Sequence, residues 1–296
     1  MIISASRRTD IPAFYSEWII RRIRAGSCRV SNPFNPSQVR EVSLRREDVD
    51  AFVFWSKNPA PMLPALDGIA DLGYPFYFQL TLNPFPKDLE PGLPDLAERI
   101  ETFRDLSSRI GPHRVVWRYD PIIISNITDH DFHARCFESL CLDLAGSTKR
   151  VMVSIVDFYK KTERGLHRVP GLDVKVEEND AGHPAMQALL GRLAASAKAS
   201  GIEILSCAEE SDLSPLGIRP GRCIDPEILR TMGIAIADDR KDPGQRKACL
   251  CVKSVDIGMT DTCAHGCVYC YSTRDHDLAA ERRSRHDPEA AMLAER

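Results

Sequence analysis

The sequence predicts an α/β fold, a TIM-like (β/α) barrel, open or closed, of about seven parallel strands. Two observations predict it. Short apolar runs rich in Val, Ile, Phe and Tyr alternate along the chain with longer segments of helical character. Several of these runs are apolar on both alternating faces, which is typical of strands that are covered on both sides. A doubly wound open sheet is the alternative.

Each element is predicted from its own local pattern, and the whole chain, 1–296, is predicted as one domain with a cluster-binding loop at 254–272. The predicted strands are Ile2–Ser6, Ala51–Trp55, Phe76–Leu82, Arg114–Tyr119, Val151–Val156, Glu203–Cys207 and Ser254–Gly258. The segments with helical spacing, stop or cap residues are Phe14–Ala25, Leu93–Ile110, Asp129 to Leu144, and Pro184–Ser200. A long loop is predicted over 164–183.

The chain has 296 residues, a formal net charge of -3 and ten cysteines. This charge supplies no overall field for nucleic acid or an anionic membrane. No run approaches the roughly 20 apolar residues of a membrane span, and the N-terminus lacks the pattern of a signal peptide. We therefore expect a cytoplasmic protein without a membrane partner, in which clustered cysteines are metal ligands. The scattered Cys28, Cys136 and Cys141 are expected to be packing residues.

Three cysteines lie close together near the C-terminus with the spacing C-x3-C-x2-C: Cys263, Cys267 and Cys270. Thiolates favour zinc or an iron–sulfur cluster. Structural zinc normally takes four ligands, and His265 is a candidate for the fourth, so a zinc knuckle is the alternative. Three thiolates on a four-iron cluster would leave one iron open. Because the apolar run Ser254–Gly258 precedes the motif, the cysteines are placed on the loop after a strand.

This loop, with Tyr269 directly before the last cysteine, resembles the cluster loop of radical S-adenosylmethionine enzymes. The resemblance implies that Cys263, Cys267 and Cys270 bind a [4Fe-4S] cluster whose open iron takes S-adenosylmethionine. The chemistry implied is generation of a 5′-deoxyadenosyl radical, which abstracts hydrogen from a small-molecule or macromolecular substrate. It also implies an electron donor, either a reductase or a flavodoxin-type protein.

The motif of that superfamily normally lies near the N-terminus, whereas here it lies near the C-terminus. We therefore predict a circular permutation, in which Ser254–Gly258 pairs in parallel with Ile2–Ser6. The chain also resembles a bacterial family that is described only as a domain of unknown function with a C-terminal cysteine cluster. The segments that carry this resemblance are ISASRRTDIPAF, FWSKNP, RYDPI, SCAEE, GIRPGRCID and CLCVKSVDIGMTDTCAHGCVYCYS.

Four further cysteines form a second candidate metal site: Cys207, Cys223, Cys249 and Cys251. Cys207 ends a predicted strand and the C-x-C pair precedes the cluster strand, so these residues are expected to be neighbours. Cys223 has to fold back toward them and is the weakest member. Four thiolates suit a second iron–sulfur cluster or a structural zinc. The alternative is a set of buried thiols that happen to lie near one another.

The functional residues of a (β/α) barrel lie mainly at the carboxyl ends of its strands. A polar residue inside a buried strand is also costly without a partner, so such residues are candidates for ligand contact. The candidate cofactor-binding residues are Arg8, Asp10, Gln79, Asn83, Arg118, Ser154 and Tyr269. Structural hydrogen bonding is the alternative for the buried polar side chains, and no catalytic residue is assigned.

The primary hypothesis is therefore a radical S-adenosylmethionine enzyme of unknown reaction. A non-catalytic zinc or iron–sulfur binding protein is the second hypothesis, and a nucleic-acid repair enzyme of the photoproduct-lyase type is the third. The absence of a basic stripe interleaved with aromatic residues argues against nucleic acid as the partner.

Overall fold

A computed structural model of the chain describes residues 1–33, 35, 37–236 and 238–294. The strands are, in chain order, β1 (Ile2–Ala5), β2 (Ser27–Ser31), β3 (Val39–Ser43), β4 (Ala51–Ser56), β5 (Phe76–Thr81), β6 (Val115–Ile122), β7 (Arg150–Ile155), β8 (Glu203–Ser206), β9 (Arg219–Pro220) and β10 (Val255–Asp256). Eight of them form one sheet in the order β10–β1–β4–β5–β6–β7–β8–β9, in which every neighbouring pair is parallel. The other two, β2 and β3, form an antiparallel hairpin.

Helices follow most of the strands of the large sheet. They are α1 (Ile11–Phe14), α2 (Ser16–Ala25), α3 (Leu66–Asp71), α4 (Leu96–Ile110), α5 (His130–Asp143), α6 (Lys160–Leu166), α7 (Pro184–Ala199), α8 (Pro226–Thr231) and α9 (His276–Ser284). Short 3₁₀ turns span Ala60–Ala65, Pro112–Arg114, Val176–Glu178 and Ser214–Leu216. Among the described residues, no helix has both the length and the apolar composition to cross a membrane.

Alternate residues of the central strands point to opposite faces of the sheet, as the period of two requires. One face, which includes the buried rings of Phe54 and Phe78, packs against α2, α4, α5 and α7. The opposite face, which we call the inner face, includes Val53. Residues 223–236 and 249–252, with α8 among them, pack against this inner face. The strands are therefore buried on both sides, which explains their apolar sequences.

The structure confirms an α/β fold with a large parallel sheet, and it confirms the predicted pairing of the C-terminal strand with the N-terminal one. In that pairing Ile3 stands opposite Val255. The closed form of the predicted barrel is not confirmed, because the described sheet has two edges, β10 and β9, of two residues each. The strand order reverses nowhere between β1 and β9, whereas a doubly wound sheet has a switch point.

Two features of the sheet were not predicted from the sequence. The hairpin of β2 and β3 exposes Arg29, Arg40 and Glu41, while its Cys28 and Val42 join the core. The eighth strand of the sheet, β9, is a two-residue segment that ends in proline, so it carries no strand pattern. The predicted loop over 164–183 is largely irregular, but α6 and one 3₁₀ turn occupy parts of it.

Candidate functional site

The three-cysteine loop leaves the sheet at the carboxyl end of β10. Cys267 is buried, while Cys263 and Cys270 are half-buried. Burial raises the pKa of the Cys267 thiol well above its ordinary value, Lys57 opposes this rise, and the Cys263 and Cys270 thiols add to it. The three thiols thus lie on one partly buried loop, and each of the other two acts on the pKa of Cys267.

Backbone N–H groups surround two of the three sulfurs. The Thr273 N–H donates to Cys270 Sγ at 3.3 Å. The backbone N–H groups of Asp10 and His265 act to lower the pKa of Cys263, but burial outweighs them and raises the pKa of this thiol to about 12. Hydrogen bonds from N–H groups are strongest to a charged acceptor, so they favour the thiolate that a metal would bind.

Asp10 connects the first half of the three-cysteine loop to two other segments of the chain. Its Oδ1 accepts from the Ala13 N–H and caps α1, and its Oδ2 accepts from the Lys57 N–H at 2.7 Å. The same Oδ2 is hydrogen-bonded to Nε2 of His265 at 2.8 Å. His265 packs on the ring of Phe14, and its Nδ1 is buried without a partner among the described residues. Both carboxylate oxygens of Asp10 thus have partners inside the protein.

A buried carboxylate, Glu90, ties down the second half of the loop. Its Oε1 accepts from Lys57 Nζ at 2.7 Å and from the Tyr269 hydroxyl, and its Oε2 accepts from Arg99 at 3.3 Å. Burial acts to raise the pKa of Glu90, but the cations of Lys57 and Arg99 outweigh it and hold the pKa below its ordinary value. This network fixes Tyr269, the residue directly before Cys270.

The loop also packs directly on two glycines. The Gly92 N–H donates to the carbonyl oxygen of His265 at 2.9 Å, and a Cβ at Gly92 would lie 2.5 Å from that oxygen. A Cβ at Gly165, on α6, would overlap the carbonyl oxygen of Val268. Neither position has space for a side chain, so the backbone of the loop packs tightly against both glycines.

Asp256, on β10, connects this strand to β1 and the residues that follow it. Its carboxylate accepts from the hydroxyls of Ser4 and Ser6 at 3.0 and 2.6 Å. It also accepts from the Arg7 N–H at 2.9 Å and from Arg8 Nε at 3.1 Å. Burial acts to raise the pKa of Asp256, but the Arg8 cation and these hydrogen bonds lower it overall. The predicted ligand Arg8 is therefore engaged in holding two strands together.

The four cysteines of the second set form a row beside the inner face. The sulfurs of Cys207 and Cys223 lie 3.3 Å apart, and Cys251 is close enough to Cys223 and Cys249 to raise the pKa of each thiol. The hydrogen bond with Cys223 and the nearby Arg118 cation lower the pKa of Cys207 to about 6 in spite of burial. Cys223, which the sequence ranked as the weakest member, lies at the centre of the row.

Arg118 on β6 connects the second cysteine set to polar side chains of the parallel strands. Its Nη1 donates to Cys223 Sγ at 2.7 Å and to Gln79 Oε1 at 3.4 Å. Its Nη2 donates to Asp120, whose other oxygen accepts from the Ser154 hydroxyl. The predicted residues Arg118, Gln79 and Ser154 thus belong to one connected network.

Two of the predicted polar residues hold backbone groups. Gln79 Nε2 donates to the carbonyl oxygen of Cys223 at 2.8 Å, beside the Tyr77 hydroxyl, which donates to the same oxygen at 2.7 Å. Asn83 exchanges two hydrogen bonds with the backbone of Asp120, at 2.9 and 3.0 Å. In this structure Gln79 and Asn83 therefore have structural partners, which is the alternative that the sequence left open for them.

Glu90 and Asp256 organise the site but were not identified from the sequence. A charged residue inside the predicted strand Ser254–Gly258 was the available signal for Asp256. Glu90 lies in a proline-rich loop and carried no such signal. Within the described part of the chain, no group of three or more His, Cys, Asp or Glu side chains is already arranged to hold a metal ion.

The fold and the site define an α/β protein with two thiol-rich clusters beside one parallel sheet. The chain belongs to the family described as Domain of unknown function (DUF1848), whose match covers residues 2–272. No curated protein and no solved structure matches the chain. The match includes both cysteine sets and Glu90, so the whole site lies within the family domain.

Proposed function

We propose that the protein is a radical S-adenosylmethionine enzyme whose [4Fe-4S] cluster is held by Cys263, Cys267 and Cys270. The observation that carries the proposal is the grouping of three thiols on one loop at the carboxyl end of a parallel strand. Ligands of parallel α/β folds bind at this end of the strands. Three thiolates rather than four also suit a cluster that keeps one iron for a further ligand.

The chemistry of the donor set fits such a cluster. A backbone N–H group donates to the sulfur of Cys270, backbone N–H groups favour the Cys263 thiolate, and burial makes unpaired thiolates costly there. Bound iron would offset that cost, because its charge stabilises the thiolate. The hydroxyls of Thr9 and Thr273 are buried without hydrogen-bond partners among the described residues. These hydroxyls are free to hydrogen-bond a ligand at the loop.

A reduced cluster of this kind supplies one-electron cleavage of S-adenosylmethionine. The chain's own residues would position the cluster-binding loop and shield it from water. Glu90 and Asp10 fix the two halves of the loop, and Arg118 presents a cation at the inner face. Burial raises the pKa of Glu209, just after β8, to about 7. This carboxyl can therefore hold or release a proton near neutral pH.

A zinc-binding protein is the second candidate, and His265 is the observation that favours it. Its Nε2 is bonded to Asp10 while its Nδ1 is buried without a partner in the described part of the chain. A metal-bound histidine typically has a carboxylate at its other nitrogen in this way. Cys263, Cys267, Cys270 and His265 would then complete a four-ligand zinc site.

Anaerobic reconstitution with ferrous iron and sulfide separates the two candidates. We compare the wild type with a variant in which Cys263, Cys267 and Cys270 are all replaced by Ala. A matched control replaces three cysteines outside both sets, Cys28, Cys136 and Cys141, by Ala. The wild type and the control should bind about four irons and matching sulfide that the triple variant lacks. With dithionite they should cleave S-adenosylmethionine to methionine and 5′-deoxyadenosine.

A colourless, zinc-loaded wild type that takes up no iron would overturn the radical enzyme. If His265→Gln then lost that zinc while Cys141→Ala kept it, the zinc site would be the correct assignment. Iron binding that survives in the triple variant would show that the iron is held elsewhere, and would also contradict the proposal.

A further inference from the structure

We propose that Cys207, Cys223, Cys249 and Cys251 form a second metal site, for one thiophilic divalent cation, which by its ligand chemistry is zinc. The site lies beside the inner face of the sheet, apart from the three-cysteine loop. It does not depend on the function proposed above, because its four ligands are different residues. The argument rests on the contacts of the sulfurs, on their spacing and on the charges around them.

Three distant segments of the chain converge to make the site. Cys207 follows β8, Cys223 precedes α8, and the Cys249–Cys251 pair precedes β10. Cys207 is 16 residues from Cys223 in the chain, yet their sulfurs lie 3.3 Å apart. Cys251 lies close enough to Cys223 and Cys249 to raise the pKa of each thiol. All four cysteines belong to the one apolar cluster on the inner face.

The spacing favours a single metal ion over a cluster. In tetrahedral zinc the sulfurs stand about 3.8 Å apart, because each lies about 2.3 Å from the metal. The observed separation of 3.3 Å between Cys207 and Cys223 is close to that edge. Bridging sulfides and several irons would have to separate the same pair much further. Hydrogen bonds to the Cys223 carbonyl from Tyr77 and Gln79 hold that segment in place.

Two cations face the row of thiols. Arg118 donates to Cys223 Sγ at 2.7 Å. Arg7 lies 5.0 Å from the centroid of the Trp55 ring, close enough to Cys251 and Cys223 to interact with both electrostatically. Its Nη2 is buried without a hydrogen-bond partner, and its guanidinium forms no ion pair within the described residues.

These cations match the charge of a metal site. Four thiolates around one divalent ion carry a net charge of -2, which a tetrathiolate centre must balance in a buried place. Arg118 shares its charge with Asp120, and Arg7 interacts electrostatically with the Asp256 carboxylate as well as with Cys251 and Cys223. Both cations can therefore offset part of the charge of a tetrathiolate centre.

The sulfurs form a row rather than a tetrahedron, and binding therefore requires a local change. The two end cysteines, Cys207 and Cys249, must turn toward a common centre between Cys223 and Cys251. Rotation about a Cα–Cβ bond between staggered positions is the motion available to each side chain. The Ile224 N–H already donates to Cys251 Sγ at 3.3 Å, as N–H groups do at metal-bound thiolates.

The test uses the full chain in which Cys263, Cys267 and Cys270 are replaced by Ala, together with the wild type. Zinc per chain is measured after purification from zinc-supplied cells, and X-ray absorption at the zinc edge gives the ligand set. We expect one zinc per chain in the triple variant, with four sulfurs at about 2.3 Å. Cobalt added in place of zinc should give the intense sulfur-to-metal charge-transfer bands of a tetrahedral thiolate site.

Single Cys→Ser variants of the four ligands should each lose the metal, whereas Cys141→Ser, a buried thiol on α5, should keep it. Arg7→Gln leaves all four sulfurs in place, so it tests the site in a chain whose ligands are intact. Its zinc affinity, measured by competition with a chelator, should fall by about 10–100-fold. Four outcomes would overturn the proposal: no zinc in the triple variant, zinc retained in all four single variants, loss only in the Cys249 and Cys251 variants, or iron with sulfide at this site.

Discussion

Arg118 Nη1 donates to the sulfur of Cys223 across 2.7 Å, while Nη2 of the same guanidinium pairs with Asp120. One buried cation thus connects the four-cysteine row to the carboxylate at the end of β6. A planar group with several donors can serve both partners at once, whereas an ammonium group is a single point charge. Replacing Arg118 would therefore remove a hydrogen-bond donor from both Cys223 and Asp120.

Replacing Arg118 by Met should destabilise the fold by about 3–5 kcal/mol, because it leaves Asp120 charged and without its cation. Urea unfolding at neutral pH measures the change. Adding Asp120→Asn to the same chain should recover part of the loss, since the unpaired charge is then removed. Arg104→Met is the matched control, because its pair with Asp143 is exposed and contributes at most about 1 kcal/mol. Equal losses at Arg118 and Arg104 would contradict the buried ion pair.

Glu209 should make stability fall as the pH rises from about 4.5 to about 7. Burial raises its pKa to about 7 in the folded chain, and Asp157 and Cys207 act in the same direction. The folded state therefore keeps a proton that the unfolded state releases, so the folded state loses its advantage as the pH rises. Glu209→Gln should remove a slope worth about 2 kcal/mol over this range. Denaturant unfolding at several pH values measures it.

Glu210→Gln is the control for this experiment, because Glu210 is the exposed neighbour. It should leave the slope as it is in the wild type. Parallel pH profiles for the wild type and Glu209→Gln would mean that Glu209 is already ionised in the folded protein at pH 5.

Local patterns were sufficient to predict most of the sheet, since buried parallel strands are short apolar runs separated by helices. They missed β9, a strand of two residues that pairs with the end of β8. The parallel pairing of β10 with β1 was predictable from the circular permutation that the resemblance to radical S-adenosylmethionine enzymes implies. Closure of the barrel was not predictable, because it depends on the lengths of edge strands that carry no pattern.

The cysteines of both sets could be identified from spacing, but their supporting residues could not. Glu90 is 33 residues from Lys57 and 179 from Tyr269, and only the fold brings these side chains together. Likewise, Cys223 reaches Cys207 through the path of the chain after β8, which no local pattern describes. Several polar residues that sequence reasoning assigned to a cofactor also bond to backbone groups or to other side chains, as Asn83 does.

Gly92→Ala should loosen the three-cysteine loop. The new Cβ would lie 2.5 Å from the carbonyl oxygen of His265, so the loop backbone has to move. We expect a loss of about 1–3 kcal/mol in unfolding free energy, as for other overpacked sites. Faster hydrogen exchange across residues 259–272 should accompany it. Gly191→Ala is the control, because nothing lies within 4 Å of a Cβ there and helix propensity should add about 0.5–1 kcal/mol.

Glu90→Gln should lower stability at neutral pH by about 3–5 kcal/mol, because it leaves Lys57 and Arg99 without their buried anion. The effect should depend on pH in a defined direction. Burial acts to raise the pKa of Glu90, but the two cations hold it below its ordinary value of 4.5. The carboxylate therefore stabilises the fold fully above pH 4.5, and this contribution is lost as the pH falls through the lower folded pKa. The gap between wild type and variant should shrink in that acid range.

Two further variants separate the charge of Glu90 from its hydrogen bonds. Tyr269→Phe removes the hydrogen bond that its hydroxyl donates to Glu90 and the one that it accepts from Lys57, but it keeps both ion pairs. It should therefore cost about 2 kcal/mol and keep most of the loss of stability that the wild type shows in acid. Glu98→Gln alters an exposed carboxyl on α4 and should match the wild type at every pH. Stability measured by urea unfolding from pH 3 to pH 7 compares all four chains. A constant gap between wild type and Glu90→Gln down to pH 3 would contradict the ionised, cation-paired state of Glu90, since a neutral carboxyl would not lose its contribution in acid.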